Sequence, residues 1–420
     1  MHLTFATAGE SHGRGLVALV EGLPAGLPVS AAWVDRELAR RMQGHGRGAR
    51  MKIEQDRIEW IAGVRAGETL GSPVAMLIPN RDWANWEDVM APEEAAPAAA
   101  LPGADVTPGI SAQHRRRRVA RPRPGHADLV GVLKYDRLDA RDILERASAR
   151  ETAARVAAGA LARRLLDEFG VEIGSHVASL GEIVANRADP FPASLNDAAD
   201  RSPVRCLDAR AERAMIERID QAKSAGDTLG GIVEVVARNL VPGLGSHVSW
   251  DRKLDGRLAS MLMSIPAVKG VEIGLGFDAA RRPGSAVHDP IDPGQEAGDV
   301  RTAFRRRTNN AGGLEGGMTT GEPLVLRVAM KPISTLMTPL PTVDLRTGAP
   351  AAAQSERSDV TAVPAMGVIA EALTAIVLAD AMLEKFGGDS LGEMRRNVDG
   401  YLAAAGNRWH AERAEPAGPD

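Results

Sequence analysis

Helical and strand-like patterns mix irregularly along this chain, and that irregularity limits its fold more than any other feature. A regular strand–helix–strand rhythm would predict a parallel sheet wrapped by crossover helices. None is present, and no glycine-rich dinucleotide fingerprint opens a helix. Ser30 is placed to cap a helix carrying Val34, Leu38 and Met42 on one stripe, with Arg40 and Arg41 beside it. Ser148-Ala149-Arg150-Glu151 has capping-box form, and Ala157, Leu161, Leu165 and Phe169 follow at four-residue spacing before Gly170. Further helices are expected over about residues 211–224, ending near Gly226, and about 365–386, closed by Gly387-Gly388. Leu324, Leu326, Val328 and Met330 alternate with Val325, Arg327 and Ala329 in the period of a half-buried strand; residues 232–236 and 271–273 are shorter strand candidates. The expected class is α+β, with antiparallel sheets packed on helices.

Composition narrows the function classes. At 420 residues, one large domain or two is open on length alone. With 44% apolar and 25% charged residues the balance is that of a soluble globular protein. No unbroken run of about 18 apolar residues predicts a membrane span, and residues 1–7 lack the basic-then-apolar pattern of a secretory signal. Cys206, the single cysteine, excludes an internal disulfide and cysteine-rich metal sites, and it fits a reducing cytoplasm. A net charge of −4 argues against a general nucleic-acid binder, and 3% aromatics against base stacking. Arginine is nevertheless concentrated at 115–118 and 305–307. Each block reads either as solvated loop charge or as cations that meet a polyanionic small molecule. The Ala- and Pro-rich stretch 91–113 reads as a surface excursion, and residues 411–420 as a disordered tail.

Two histidines stand in polar, glycine-flanked loops. His12 lies in Gly9-Glu10-Ser11-His12-Gly13, and His126 in Arg121-Pro122-Arg123-Pro124-Gly125-His126-Ala127-Asp128. Neither loop has the apolar periodicity of a core segment, and imidazole exchanges protons near neutral pH, so the pair reads as acid–base equipment on rigid turns. Arg41 and Arg47 flank Gly44-His45-Gly46-Arg47-Gly48, which is either a surface turn or an anion site. Arg146-Ala147-Ser148 opens the capped helix, where free amides favour an anion, although plain capping also explains it. The run Gly312-Gly313-Leu314-Glu315-Gly316-Gly317-Met318-Thr319-Thr320-Gly321 lacks a P-loop ending and reads as a ligand-hugging loop or a set of tight turns. Arg357-Ser358-Asp359 sets a cation and a carboxylate before the last long apolar helix, either as a surface ion pair or as part of the site. Together these clusters suit a substrate bearing phosphate and carboxylates, plus a planar phosphate-bearing cofactor.

These motifs resemble those of the chorismate synthases. The likeness rests on the two histidine loops and on Arg146-Ala147-Ser148-Ala149-Arg150-Glu151-Thr152-Ala153. It continues through Ala267-Val268-Lys269-Gly270-Val271-Glu272-Ile273-Gly274, Gly312 to Met318, Lys331-Pro332-Ile333-Ser334-Thr335 and Arg357-Ser358-Asp359-Val360, all in the family's order. The resemblance implies a single catalytic domain over residues 1–410, with helices sandwiched between antiparallel sheets, assembled as a cytoplasmic homotetramer. It implies a phosphate lyase that converts 5-enolpyruvylshikimate 3-phosphate to chorismate by anti elimination and requires reduced FMN, with NADPH as a candidate flavin reductant. No metal, membrane or nucleic-acid partner is implied. By similarity His12 protonates the departing phosphate, His126 holds a proton against the flavin, and Asp359 assists proton removal at the ring carbon. Arg146, Ala147, Ser148, Pro266, Ala267, Gly316, Lys331, Pro332, Ile333, Ser334, Thr335 and Arg357 match flavin-binding positions. Arg41 and Arg47 match NADP positions, also suited to a substrate anion, and Ser11 and Arg123 are expected to touch substrate. Pro266 stands where the pattern leads one to expect an amide residue. The two arginine blocks lie in apparent insertions without a transferable role.

Overall fold

The computed structural model describes residues 2–48, 55–93, 118–293, 304–354 and 359–414, with side chains in the last helix described to residue 406. Most of the expected excursion at 91–113, Arg115 to Arg117, and Arg357 therefore lie outside the described residues.

Two antiparallel sheets frame the molecule. The first is ordered β1 (Thr4–Ala8), β2 (Gly15–Glu21), β4 (Val74–Pro79), β3 (Glu59–Ala62). Alternate residues Leu16, Ala18 and Val20 of β2 and Val74, Met76 and Ile78 of β4 are buried, so one face looks into the core. The second contains β5 (Glu172–Leu180), β6 (Ile183–Val184), β7 (Gly231–Arg238) and β8 (Val268–Ile273). Three short ribbon strands and a fourth precede its last member: β9 (Ile291–Pro293), β10 (Phe304–Arg306), β11 (Leu314–Glu315), β12 (Met318–Thr319), then β13 (Leu324–Met330). Its order is β8-β13-β7-β5-β6. The strand expected at 324–330 forms, but Leu324, Val325 and Leu326 are all buried, so that end is covered on both faces. Val325 pairs with Val236, which pairs with Gly174, and the short helix Leu195–Ala199 packs on the outer face at Gly174.

The helices are α1 (Ala31–Met42), α2 (Asp128–Tyr135), α3 (Arg141–Leu144), α4 (Thr152–Asp167), α5 (Ala209–Ala225), α6 (Leu254–Met263), α7 (Val363–Phe386) and α8 (Leu391–Ala414). Helix α4 packs on the first sheet, α7 on the second, and α4 and α7 on each other. Their close approach requires Gly159, where a Cβ would lie 2.5 Å from the Ala372 Cβ. Helix α7 is long and apolar enough to cross a membrane by composition, yet 94% of that stretch is buried inside the protein, the all-round burial of a core helix. Ser30 caps α1 by accepting from the Trp33 amide, and Asp208 caps α5, which Gly226 ends in the left-handed region.

Two expectations need correction. Ser148 accepts from the Arg150 amide at a single 3-10 turn, Ala149–Glu151, before α4 begins at Thr152. The Glu151 carboxylate does not return to the cap as a capping box requires, because it accepts instead from Thr7 Oγ1 and from Arg155. At the far end, α8 continues to Ala414, into the segment read as a disordered tail.

At mid-α7, Glu371 is buried among three guanidinium groups. Arg40 and Arg163 approach its Oε2 at 2.9 and 2.8 Å, Arg205 its Oε1 at 2.9 Å, and Ser175 Oγ donates to it at 2.6 Å. Burial pushes this carboxyl up, but the three arginines outweigh burial and hold it well below the usual carboxylate range. The cluster ties α1, α4, α7 and β5 together.

Candidate active site

His12 sits on the β1–β2 turn. Gly9 enters that turn at φ +104°, and a Cβ there would lie 2.3 Å from the Gly15 carbonyl oxygen, so only glycine fits. The loop is fastened to Glu145, just beyond α3. The Ser11 amide donates to the Glu145 carbonyl (3.0 Å), and the His12 amide donates to Glu145 Oε2 (2.9 Å). His12 Nδ1 lies 2.9 Å from both carboxylate oxygens. An ionised carboxylate can only accept, so Nδ1 carries the hydrogen. The imidazole stacks on Trp86 with ring centroids 3.9 Å apart, and Arg141 lies over the other ring of that stack. Burial pushes the Glu145 carboxyl up. The bonds from the His12 ring and amide and the charges of His12 and Arg141 more than offset this and leave it below its ordinary value.

His126 is clamped differently. Its Nδ1 lies 2.5 Å from Asp128 Oδ1, at the first residue of α2. The same carboxylate accepts from Arg123, through the amide (3.0 Å), Nε (2.9 Å) and Nη2 (3.2 Å). Arg123 Nη1 reaches on to Thr335 Oγ1 (3.1 Å). Burial raises the Asp128 carboxyl, but His126 and Arg123 together hold it well below the usual carboxylate range. Lys331 Nζ donates to the Gly125 carbonyl (3.0 Å), and burial together with Lys269 lowers this ammonium below its ordinary value.

Both histidine clamps are carried on the α2–α3 hairpin. A Cβ at Gly131 would lie 2.3 Å from Ile143, so the helices cross there in contact. Asp128 opens α2 before that contact, and Glu145 directly follows α3 after it. Hydrogen bonds carry the grouping further. Thr228 Oγ1 donates to the Ile333 carbonyl (2.7 Å), and the Leu229 amide donates to the Val360 carbonyl (2.8 Å). The Val360 amide donates to the Gly46 carbonyl (2.8 Å). Asp359 accepts from the Gly48 amide (2.6 Å) and pairs with Arg47 Nη1 (2.9 Å). The residue 331–335 strip, the Asp359 turn and the Gly44–Gly48 loop are thus one connected rim. Arg146 Nη2 donates to the Thr7 carbonyl and hydroxyl (2.8 Å each), joining the Arg146-Ala147-Ser148 turn to the His12 loop. Ala267, left-handed at φ 68°, follows Pro266 and accepts from the Lys331 amide (3.0 Å).

Not every expected residue joins this group. Gly316 and Gly317 form the two-residue turn of the β11–β12 hairpin, both at positive φ, so this part of the glycine run is a tight turn. Leu254, at the start of α6, donates its amide to Gly317, whereas Pro266 and Ala267 follow the other end of that helix, about 15 Å away. Within one chain Gly316 is therefore separated from the rim. Arg41 is buried and donates to Thr152 Oγ1 and the Ala149 carbonyl (2.9 Å each), so it braces the start of α4. Arg306 and Arg307 are paired with Glu315 and Asp292, so two of that block's cations are neutralised on the neighbouring ribbon. Glu145, Trp86, Arg141 and Thr7 escaped the sequence reading. The one available signal was Glu145 directly before the Arg146 motif. A groove of about 570 Å3 between β1, α6 and α7, lined by Phe5, Trp250, Arg257 and Asp380, contains neither histidine.

Residues 3–383 match the family model described as Chorismate synthase. Among curated relatives, the chorismate synthase of Symbiobacterium thermophilum is 57% identical over 97% of this chain and all of the relative. That of Geobacter sulfurreducens is 54% identical over 95% of this chain and 98% of the relative. A solved structure titled "Crystal Structure of Chorismate Synthase" superposes with a TM-score of 0.73 at 41% identity, covering 96% of this chain and 98% of that one. With the motif loops gathered as described and both ends of the likeness spanning nearly the whole chain, this protein belongs to the chorismate synthase family.

Proposed function

We propose that this chain eliminates phosphate from 5-enolpyruvylshikimate 3-phosphate to give chorismate, the reaction for which its family is named. One C–O bond and one ring C–H bond break, a C=C bond forms, and phosphate and a proton leave, so no net oxidation occurs. The observation that carries the reading is the pair of histidine–carboxylate clamps on the α2–α3 hairpin, with Arg123, Arg146 and Lys331 hydrogen-bonded to the loops that hold them. In this reading His12 gives its Nε2 proton to the departing phosphate oxygen. His126 keeps a second proton fixed at the cofactor, and Asp359 is the carboxylate that assists removal of the ring proton. Ser11 and Arg123 orient substrate, and the cations neutralise phosphate and carboxylates in a cleft that excludes water.

The residues fit reduced FMN. Arg146 and Lys331 supply cations for its phosphate, while Ala147, Ser148, Pro266 and the left-handed Ala267 present small side chains and close backbone to a flat ring. Lys331 to Thr335 line the same edge, and Arg357 is assigned there on the motif alone. Reduced flavin, when bound, would lend electron density to the substrate as phosphate departs. Gly316 joins such a site only from elsewhere in an assembly. Arg41 and Arg47 meet NADP or a substrate anion only if their present partners release them. We further propose one catalytic domain with α4 and α7 sandwiched between its sheets, acting as a homotetramer in the cytoplasm. Light scattering should then give about four times the 44.4 kDa chain mass.

The test is anaerobic incubation with 5-enolpyruvylshikimate 3-phosphate and photoreduced FMN. Equal amounts of phosphate and chorismate are expected, with the flavin still reduced at the end. In a parallel incubation with substrate, NADPH and oxidised FMN, NADPH oxidation without phosphate release would instead identify a flavin reductase, and no reaction in either incubation an anion-binding protein that kept the loops.

A further inference from the structure

The two histidines share a motif, a carboxylate on Nδ1, but the carboxylates are not equivalent. Glu145 holds His12 at three points: its carbonyl takes the Ser11 amide, its Oε2 the His12 amide, and both oxygens the ring Nδ1. Arg141 forms an ion pair with Glu145 Oε1 at 3.6 Å, longer than a hydrogen bond. Trp86 closes one face of the imidazole, and its own Nε1 is tied to Asp82 (2.9 Å). The ring can neither swing nor flip without breaking several bonds at once. Asp128, by contrast, is shared: Arg123 takes it through backbone, Nε and Nη2 while His126 holds the other side. A carboxylate shared with a guanidinium divides its charge between two cations.

From this asymmetry we infer that Glu145 is the positioning residue of the proposed acid. It fixes His12 with Nδ1–H on the carboxylate, so that the proton given up in the role proposed above is the one on Nε2, and it stabilises the imidazolium that carries that proton. The transferred proton leaves Nε2 for the phosphate oxygen; Nδ1–H stays on the ring, and Glu145 remains an anion throughout. His126 has a carboxylate of its own, Asp128, which it divides with Arg123. This rests on the role proposed for His12 above and adds to it a residue 133 positions away. The arrangement follows the general rule that a second partner on one imidazole nitrogen sets what the other nitrogen can do.

The test uses the full-length protein with reduced FMN. Glu145→Gln preserves shape but removes the charge, and its amide group favours the wrong ring tautomer. Its kcat should fall about 10²-fold or more, with KM for substrate and flavin affinity changed by less than about threefold. The double variant His12→Ala/Glu145→Gln should be no slower than His12→Ala alone, because the two residues act as one unit. Should Glu145→Gln not fold, Glu145→Asp, which keeps the charge but draws it back, should lose about tenfold in kcat with KM held. The inference fails if either folded variant retains parental kcat while His12→Ala loses 10²-fold, or if the two losses multiply in the double variant. If His12→Ala itself is harmless, the role proposed for His12 falls and takes this inference with it.

Discussion

Single residues decide whether the His12 loop can exist. Gly9 is held at positive φ with backbone 2.3 Å from where a Cβ would sit, so Gly9→Ala must displace the turn or unfold β1. The expected result is a large loss of kcat together with a lowered Tm, checked by thermal unfolding and initial rates. Ser30 offers a gentler case. It caps α1 through the Trp33 amide, and Ser30→Ala should destabilise the protein by about 1 kcal/mol without altering turnover. Both histidines were legible in the sequence because polar glycine loops have no packing reason to carry them. Their carboxylates were legible unequally. Asp128 lies two residues from His126 and belongs to the same motif, whereas Glu145 reaches His12 only through the fold, across 133 positions.

At the scale of elements, the helices with caps and glycine stops were readable and several strands were not. Residues 211–224 and 365–386 match α5 and α7 to within two residues at each end, because Asp208, Gly226 and Gly387 punctuate them. Strand β1 reads poorly because none of its residues is fully buried, and β5 because Ser175, His176 and Ser179 interrupt any apolar alternation. Those polar residues have partners that no local pattern reveals. Ser175 donates to Glu371, and His176 faces Glu234 on β7. The Glu371 cluster carries a firm prediction. Glu371→Gln leaves three buried guanidinium groups around a neutral partner and should cost about 3–5 kcal/mol, measured by denaturant unfolding, with little change in KM. If stability is unaltered, the cluster does not hold the four elements together.

Over the whole molecule, the depressed carboxyls predict how stability depends on pH. Glu145, Asp128 and Glu371 all lie below their ordinary values of 4.5, 3.8 and 4.5 when folded. Groups of this kind stabilise the fold above their unfolded values, and the contribution is lost as pH falls toward the folded ones. The unfolding midpoint should therefore be level from neutral pH to about 5 and decline below about 4.5. A midpoint that rises on acidification would contradict these assignments. The overall α+β class was legible in the irregular mixture of elements. The hydrogen bonds that tie the His12 loop to Glu145 and Arg146, the His126 loop to residues 331–335, and Gly46 and Gly48 to residues 359–360 were not, since they join distant residues with no sequence periodicity.

The central claim is that His12 and His126 serve one reaction in one cleft. The most direct measurement compares anaerobic kcat, KM and flavin affinity for His12→Ala and His126→Ala with the parent. The expected result is a loss of about 10²–10⁴-fold in kcat for each, with substrate and flavin still bound. Two folded variants that turn over within a few-fold of the parent would contradict it.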